Sequence, residues 1–278
     1  MELSWLQSLF LGLISGFAEI LPVSAQAHRL VIEKFFGVTS DPVILRLMIH
    51  LGTLAALHYC CRRHIVRMMR AYRLSKIPKN RRKRPLDVQS LTDFNLLKTT
   101  LIPVVLVFLL YGRITPLSRN LLWIAAFLLV NGIVLYVPPY LPGSNRESGA
   151  MSRVDGLLMG LGSALGAMPG ISCVGAATSV GTVRGMEPKT ALNLAFVMQI
   201  PVTIGFVVWD LLDLFRGLGQ LSFGALAGGI LAAAAAFAGV FLGIKAVRKI
   251  ANTIGLSVFG FYSWGAALFT FIVYLTAA

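Results

Sequence analysis

Five stretches, residues 94–111, 120–138, 190–212, 223–247 and 254–276, each carry enough mostly apolar residues to cross the hydrocarbon core of a bilayer as a helix, which takes about 17 or more. Residues 42–61 make a weaker sixth. Composition agrees: 56% of the 278 residues are hydrophobic and 13% are charged, where about 25% charged is usual in a soluble domain. The expected fold class is an all-α integral membrane protein with six transmembrane helices.

The amino-terminal run WLQSLFLGLISGFAEILPVSA is apolar and ends in small residues, as a secretory signal does. It has Glu2 where a signal carries a basic segment, and Glu19 interrupts the apolar run, so it is read as part of the fold. Cys60, Cys61 and Cys173 lack disulfide or metal-ligand spacing and say little about compartment. The net charge of +14 is concentrated: 11 of the 25 Lys and Arg lie between Arg62 and Arg84, without an acidic residue among them. The run contains no nucleic-acid motif and one aromatic, Tyr72. It reads as a cytoplasmic loop beside anionic headgroups, and nucleic acid is not an expected partner.

With loop 62–93 inside, the six spans thread so that loops 62–93, 139–153, 184–189 and 245–249 hold 18 of the 25 Lys and Arg. Both termini then face outward. Two further segments resemble each other. GLISGFAEILPVS (12–24) and GLGSALGAMPGIS (160–172) share Gly first, Ser three residues on, a Pro near the end and a terminal Ser. Downstream, His50 in MIHLGT lies 26 residues past Ser24, and Gln199 in VMQIPVT lies 27 past Ser172. The chain therefore reads as a duplication, residues 1–140 and 150–278, in one membrane domain. Each half has a broken apolar segment (about 8–36 and 155–185) followed by three spans. An odd number of spans inverts the second copy, and such Pro- and Gly-interrupted segments are expected as re-entrant helical hairpins meeting at a midplane site.

Ser24 and Ser172 are placed to cap the helices that follow the breaks at Pro22 and Pro169, with backbone N–H groups directed into the cavity. Facing helix N-termini favour anions, phosphate above all. Glu19 is an ionisable group in an apolar segment, hence a candidate functional residue. His28 falls one turn after Ser24, so the two can face one point. His50 and His58 are two turns apart and are expected to face one way, but two histidines without a carboxylate make a weak metal site.

At these residues the chain resembles the undecaprenyl-pyrophosphate phosphatase family, the bacitracin-resistance membrane phosphatases that recycle the lipid carrier of cell-wall synthesis. GLISGFAEILPVSAQAH is similar to the family's first motif, GxxEGxxEfLPvSSxGH, and PGISCVGAAT to its PGxSRSGAT motif. MIHLGTLAAL, the basic loop, LIPVVL and AFVMQIPVTIG fall between and after them in the family's order. The resemblance implies hydrolysis of undecaprenyl pyrophosphate to undecaprenyl phosphate at an outward-facing site of a multi-pass protein of the bacterial plasma membrane. It implies catalytic roles for Glu19, Ser24, His28 and Ser172. The substrate-binding set expected beside them is Ser15, Pro22, Pro169, Gly170, Cys173, Gly175, His50 and Gln199. A divalent cation, Mg2+ or Ca2+, would use Glu19 and the substrate's phosphates. Expected partners are undecaprenyl pyrophosphate or phosphate and membrane lipids, with a homodimer left open.

The chain departs from these motifs where phosphoryl chemistry is most demanding. The first motif glutamate is Ser15 and the second serine is Ala25. In the second motif the arginine is Cys173, the next serine Val174 and the threonine Ala177. An arginine on a transferring phosphoryl group can be worth ~10³ or more in rate. Arg29, about 100° round the helix from His28, and Arg184, twelve residues past Ser172, are not obvious replacements. The alternative to a phosphatase is a non-hydrolytic transporter or binding protein for undecaprenyl phosphate.

Overall fold

The computed structural model describes residues 4–36, 43–141, 146–217 and 222–277. They form α1 (Trp5–Ile20), α2 (Ala25–Phe35), α3 (Val43–Ser75), α4 (Val88–Leu109), a single turn α5 (Tyr111–Ile114) and α6 (Leu121–Tyr136). After these come α7 (Arg153–Leu165), α8 (Cys173–Val183), α9 (Pro188–Phe215), α10 (Phe223–Thr253) and α11 (Val258–Ala277). Short polar residues start many of them. Ser4 and Gln7 form a capping box on α1, Ser152 and Asp155 one on α7, and Asp87 and Asn120 cap α4 and α6.

Six helices are long and apolar enough to cross a membrane, and they coincide with the six expected spans. Outward-facing Leu101, Ile102, Val105, Leu106 and Leu109 on α4 are exposed, as a helix facing lipid requires. The weak sixth span is the longest helix. α3 runs 33 residues, through the first part of what reads as a basic loop. No helix breaker occurs before Pro78, and Met68 and Ala71 are buried, so the charged turns continue the helix with one face packed. The connection to α4 is therefore much shorter than 62–93.

Both broken segments are broken in the structure. α1 stops at Ile20, just before Pro22, and α7 stops at Leu165, before Pro169. The first helix of each half lies against the second long helix of the other half, α1 on α10 and α7 on α4. Glycine makes both contacts close. A Cβ at Gly12 or Gly16 would collide with the backbone of Ala232 or Ala236, and one at Gly156 or Gly160 with α4 at Leu96 and Thr100. α3 packs on α9 and α6 on α11. The two breaks are thereby carried to one place.

Candidate active site

The two breaks are sewn together by their own serines. Ser24 lies in the left-handed backbone region at φ 59°, uncommon for a residue with a Cβ. Its Oγ accepts a 2.9 Å hydrogen bond from the Gly170 amide of the other break. Gly170 has φ 116°, and a Cβ there would strike Phe127 and the α6 backbone. In return Ser172 Oγ donates to the Leu21 carbonyl at 3.2 Å and accepts from the Gly175 amide at 3.1 Å. Ser172 thus caps α8 as expected. Ser24 does not act as expected: a cap has extended backbone, and this residue's turned geometry sends its hydroxyl across to Gly170.

A residue that motif reasoning passed over completes the junction. Asn131, fully buried on α6, accepts from the Ser172 amide at 2.9 Å and donates to the Pro22 carbonyl at 3.2 Å and to Ser263 Oγ at 2.9 Å. One side chain therefore satisfies backbone groups from both breaks, which buried polar backbone requires. Pro22 and Pro169 are buried, and Gly175 is small because Pro22 and Leu135 press on it.

Glu19, Ala25, Gln26, Gly166, Ile171, Ser172, Cys173 and Phe206 line one small pocket. It brings the last turn of α1 and the first residues of α2 and α8 to a common point. Gln199 Nε2 donates to Glu19 Oε1 at 2.6 Å, joining the two halves again. Ser15, one turn before Glu19, is buried and its hydroxyl has no hydrogen-bond partner among the described residues. The equivalent Ser163 of α7 is in the same state.

His50 supports the pocket wall. Its Nδ1 lies 2.6 Å from Asp210 Oδ2, and its ring stacks on Phe206 with centroids 5.0 Å apart. Asp210 also takes Arg46 Nε at 3.0 Å, while Arg46 Nη2 reaches Asp213 at 2.9 Å. Arg46, Asp210 and Asp213 were not among the motif residues; an ionisable group inside a span was the available signal. His58 is exposed, not beside His50. Eight residues at 100° each overshoot two full turns by about 80°, which separates the two faces.

His28 is drawn elsewhere. Its Nδ1 is 2.8 Å from the Ser24 carbonyl and its Nε2 is 2.5 Å from the Tyr262 hydroxyl on α11, so it lies outside the pocket wall. Its neighbour Arg29 takes the other face of α2. The Arg29 Nε lies 3.5 Å from Glu33 Oε1 and makes no hydrogen bond among the described residues.

Hard divalent cations take six or more oxygen ligands. Among the described residues no group of three or more His, Cys, Asp and Glu is gathered that could hold a metal. Glu19 already shares one oxygen with Gln199.

The sequence pattern described as Bacitracin resistance protein BacA matches residues 8–269. The chain belongs to that family. BacA relatives similar to it along the whole length include an undecaprenyl-diphosphatase of Methanobrevibacter smithii, 30% identical over 98% of both chains. Another is undecaprenyl-diphosphatase 1 of Shouchella clausii, 27% identical over 97% of this chain and 96% of the relative. An undecaprenyl-diphosphatase of Nocardioides sp. is 34% identical over 77% of each. The two segments that resemble the family's motifs, residues 12–28 and 169–178, meet at the Ser24–Gly170 junction, and the pocket with Glu19 lies beside it.

Proposed function

We propose that the protein binds undecaprenyl pyrophosphate at the Glu19 pocket and releases its terminal phosphate, with positive charge supplied from α2 by Arg29 rather than from position 173. The observation that carries this reading is the junction of the two breaks, which gathers Glu19, the start of α2 and the Ser172-capped start of α8 around one pocket. Helix starts and a guanidinium suit a pyrophosphate. Glu19, held at Oε1 by Gln199, takes the proton of the attacking water. That water's oxygen bonds to the terminal phosphorus, the anhydride P–O bond breaks, and undecaprenyl phosphate leaves. Mg2+ or Ca2+ would arrive as a counter-ion of the pyrophosphate.

The reciprocal packing of α1 on α10 and α7 on α4 supports an inverted repeat in which α1–α2 and α7–α8 are re-entrant hairpins. The basic residues after residue 61 support a cytoplasmic position for that end of α3. The pocket and both termini then face outward.

One observation favours a carrier that binds without cleaving. Where the first motif has a glutamate, Ser15 offers a hydroxyl, leaving Glu19 the one carboxylate on the pocket wall. Purified protein incubated with undecaprenyl pyrophosphate separates the two. Phosphate release above a Glu19→Gln control supports hydrolysis; lipid binding with release equal to that control supports the carrier.

A further inference from the structure

Far from the pocket, a cleft of about 640 Å³ opens between α3 and α10 and the starts of α4 and α9. From His50 to the Tyr59–Arg67 stretch that lines it is about 13 to 25 Å along α3. Arg62, Arg63 and Arg67 line it from α3, and Lys245 and Arg248 from α10. Two carboxylates share the wall, and each has partners, although Asp93 Oδ1 makes no hydrogen bond among the described residues. Asp93 pairs with His64 at 2.8 Å, and Asp87 accepts from the Ser90 amide at 2.9 Å and from its hydroxyl at 2.6 Å. None of the five cations forms an ion pair among the described residues.

Three of the five cations are also held in place. Arg62 donates to the Tyr59 carbonyl at 2.9 Å and lies over the Tyr59 ring, 4.1 Å from its centroid. Lys245 lies 4.2 Å from the Phe241 ring centroid, and Arg248 donates to Asn193 Oδ1 at 2.9 Å. Charges that only set membrane topology need no concave wall and no partners from a second helix. Here two helices, one from each half of the chain, place five cations around a space of the size that holds small ligands, and Arg248 takes its partner from a third helix, α9.

We infer that this cleft binds a phosphate-bearing anion. Two sources carry that chemistry, the headgroup of an anionic lipid at the membrane surface and soluble phosphate. The site is separate from the Glu19 pocket, so phosphate release reports on that pocket while the cleft has its own readout.

Cys60 lies in the cleft wall and supplies it. In full-length protein carrying Cys61→Ala and Cys173→Ala, the rate at which a maleimide alkylates Cys60 measures occupancy. Millimolar inorganic phosphate in neutral detergent is one arm, with chloride at equal ionic strength as control. Nanodiscs of phosphatidylglycerol against phosphatidylcholine are the other. Protection by phosphate identifies a soluble anion, and protection by phosphatidylglycerol alone identifies a lipid headgroup. The expected slowing is about threefold when ligand stands at twice its dissociation constant. Arg62→Gln with Lys245→Gln should abolish it, while Arg62→Lys with Lys245→Arg keeps the charge and should retain it. Unchanged alkylation in both arms, or equal protection in the glutamine variant, overturns the inference.

Discussion

The Gly170 amide and Ser24 Oγ, 146 positions apart in the chain, are joined by a 2.9 Å hydrogen bond that ties the first break to the second. The bond is buried, and the serine that accepts it has a left-handed backbone. Two opposing effects therefore act at one residue. Ser24→Ala keeps the unfavourable φ and leaves a buried amide unpaired, at about 1–3 kcal/mol. Ser24→Gly leaves the same amide unpaired but relieves the backbone by roughly 1 kcal/mol. Thermal unfolding in detergent should rank parent above Ser24→Gly above Ser24→Ala. An alanine variant as stable as the glycine variant would mean that the turn at Ser24 is not held.

The proposed function assigns to Arg29 the charge that the second motif lacks. Arg29→Gln should lower phosphate release from undecaprenyl pyrophosphate by about tenfold or more, given that an arginine in phosphoryl transfer can contribute ~10³. Arg29→Lys, which keeps charge but loses the planar fork, should fall between them. The loss should appear in kcat as well as KM, since stabilising the transition state is the role assigned. A glutamine variant with parental kcat removes Arg29 from the chemistry and leaves it as a partner of Glu33.

At the start of α7, ahead of the apolar run, Asp155 closes its capping box and takes Arg184 Nε at 2.6 Å. Burial pushes its carboxyl up, but the Ser152 amide and the Arg184 guanidinium outweigh that and hold it below the ordinary 3.8. A depressed folded value means stability that is present above the unfolded value and is lost as pH falls through the folded one. Asp155→Asn should therefore be less stable than the parent at neutral pH. The gap should close as pH drops below about 4. Melting temperatures across that range check it, and a gap constant down to acid pH would show that the charge on Asp155 contributes nothing.

What the sequence makes legible is what repeats or what is long. Six apolar runs, two Pro-centred breaks and the Ser172 cap follow from spacing and residue type. The direction of the Ser24 hydroxyl does not, because it depends on a backbone angle that only the docked breaks impose. Helix α3 overruns its apolar part because its charged turns keep one face packed, with Met68 and Ala71 buried, and meet no proline before Pro78. Asn131 was detectable in principle, as a lone amide in LLVNGIVL, but its three partners come from Pro22, Ser172 and Ser263, which no local pattern connects. Arg29 lies about 100° round α2 from His28, and the contact of His28 with Tyr262 of α11 is not written in any local pattern.

Restoring the motif arginine tests whether the pocket is an altered phosphatase site. The Gly166 backbone packs directly on Cys173, so a longer side chain at 173 can extend only along the pocket wall, where Glu19 stands. Cys173→Arg alone should pair with Glu19, compete with Gln199 for its carboxylate and lower phosphate release. Adding Ser15→Glu supplies a second carboxylate one turn away on α1, where a buried hydroxyl now has no partner, and frees Glu19. The double variant should exceed both the single variant and the parent. Val174→Ser and Ala177→Thr, which complete the motif on paper, are expected to add instability instead. Both residues are fully buried among Leu135, Ala195 and Phe196, and a hydroxyl there must find a partner in an apolar cluster. Initial rates at matched amounts of folded protein decide the matter. If Cys173→Arg alone accelerates release, Glu19 does not face position 173 in the working state, and the proposed division of charge between Arg29 and Glu19 is wrong.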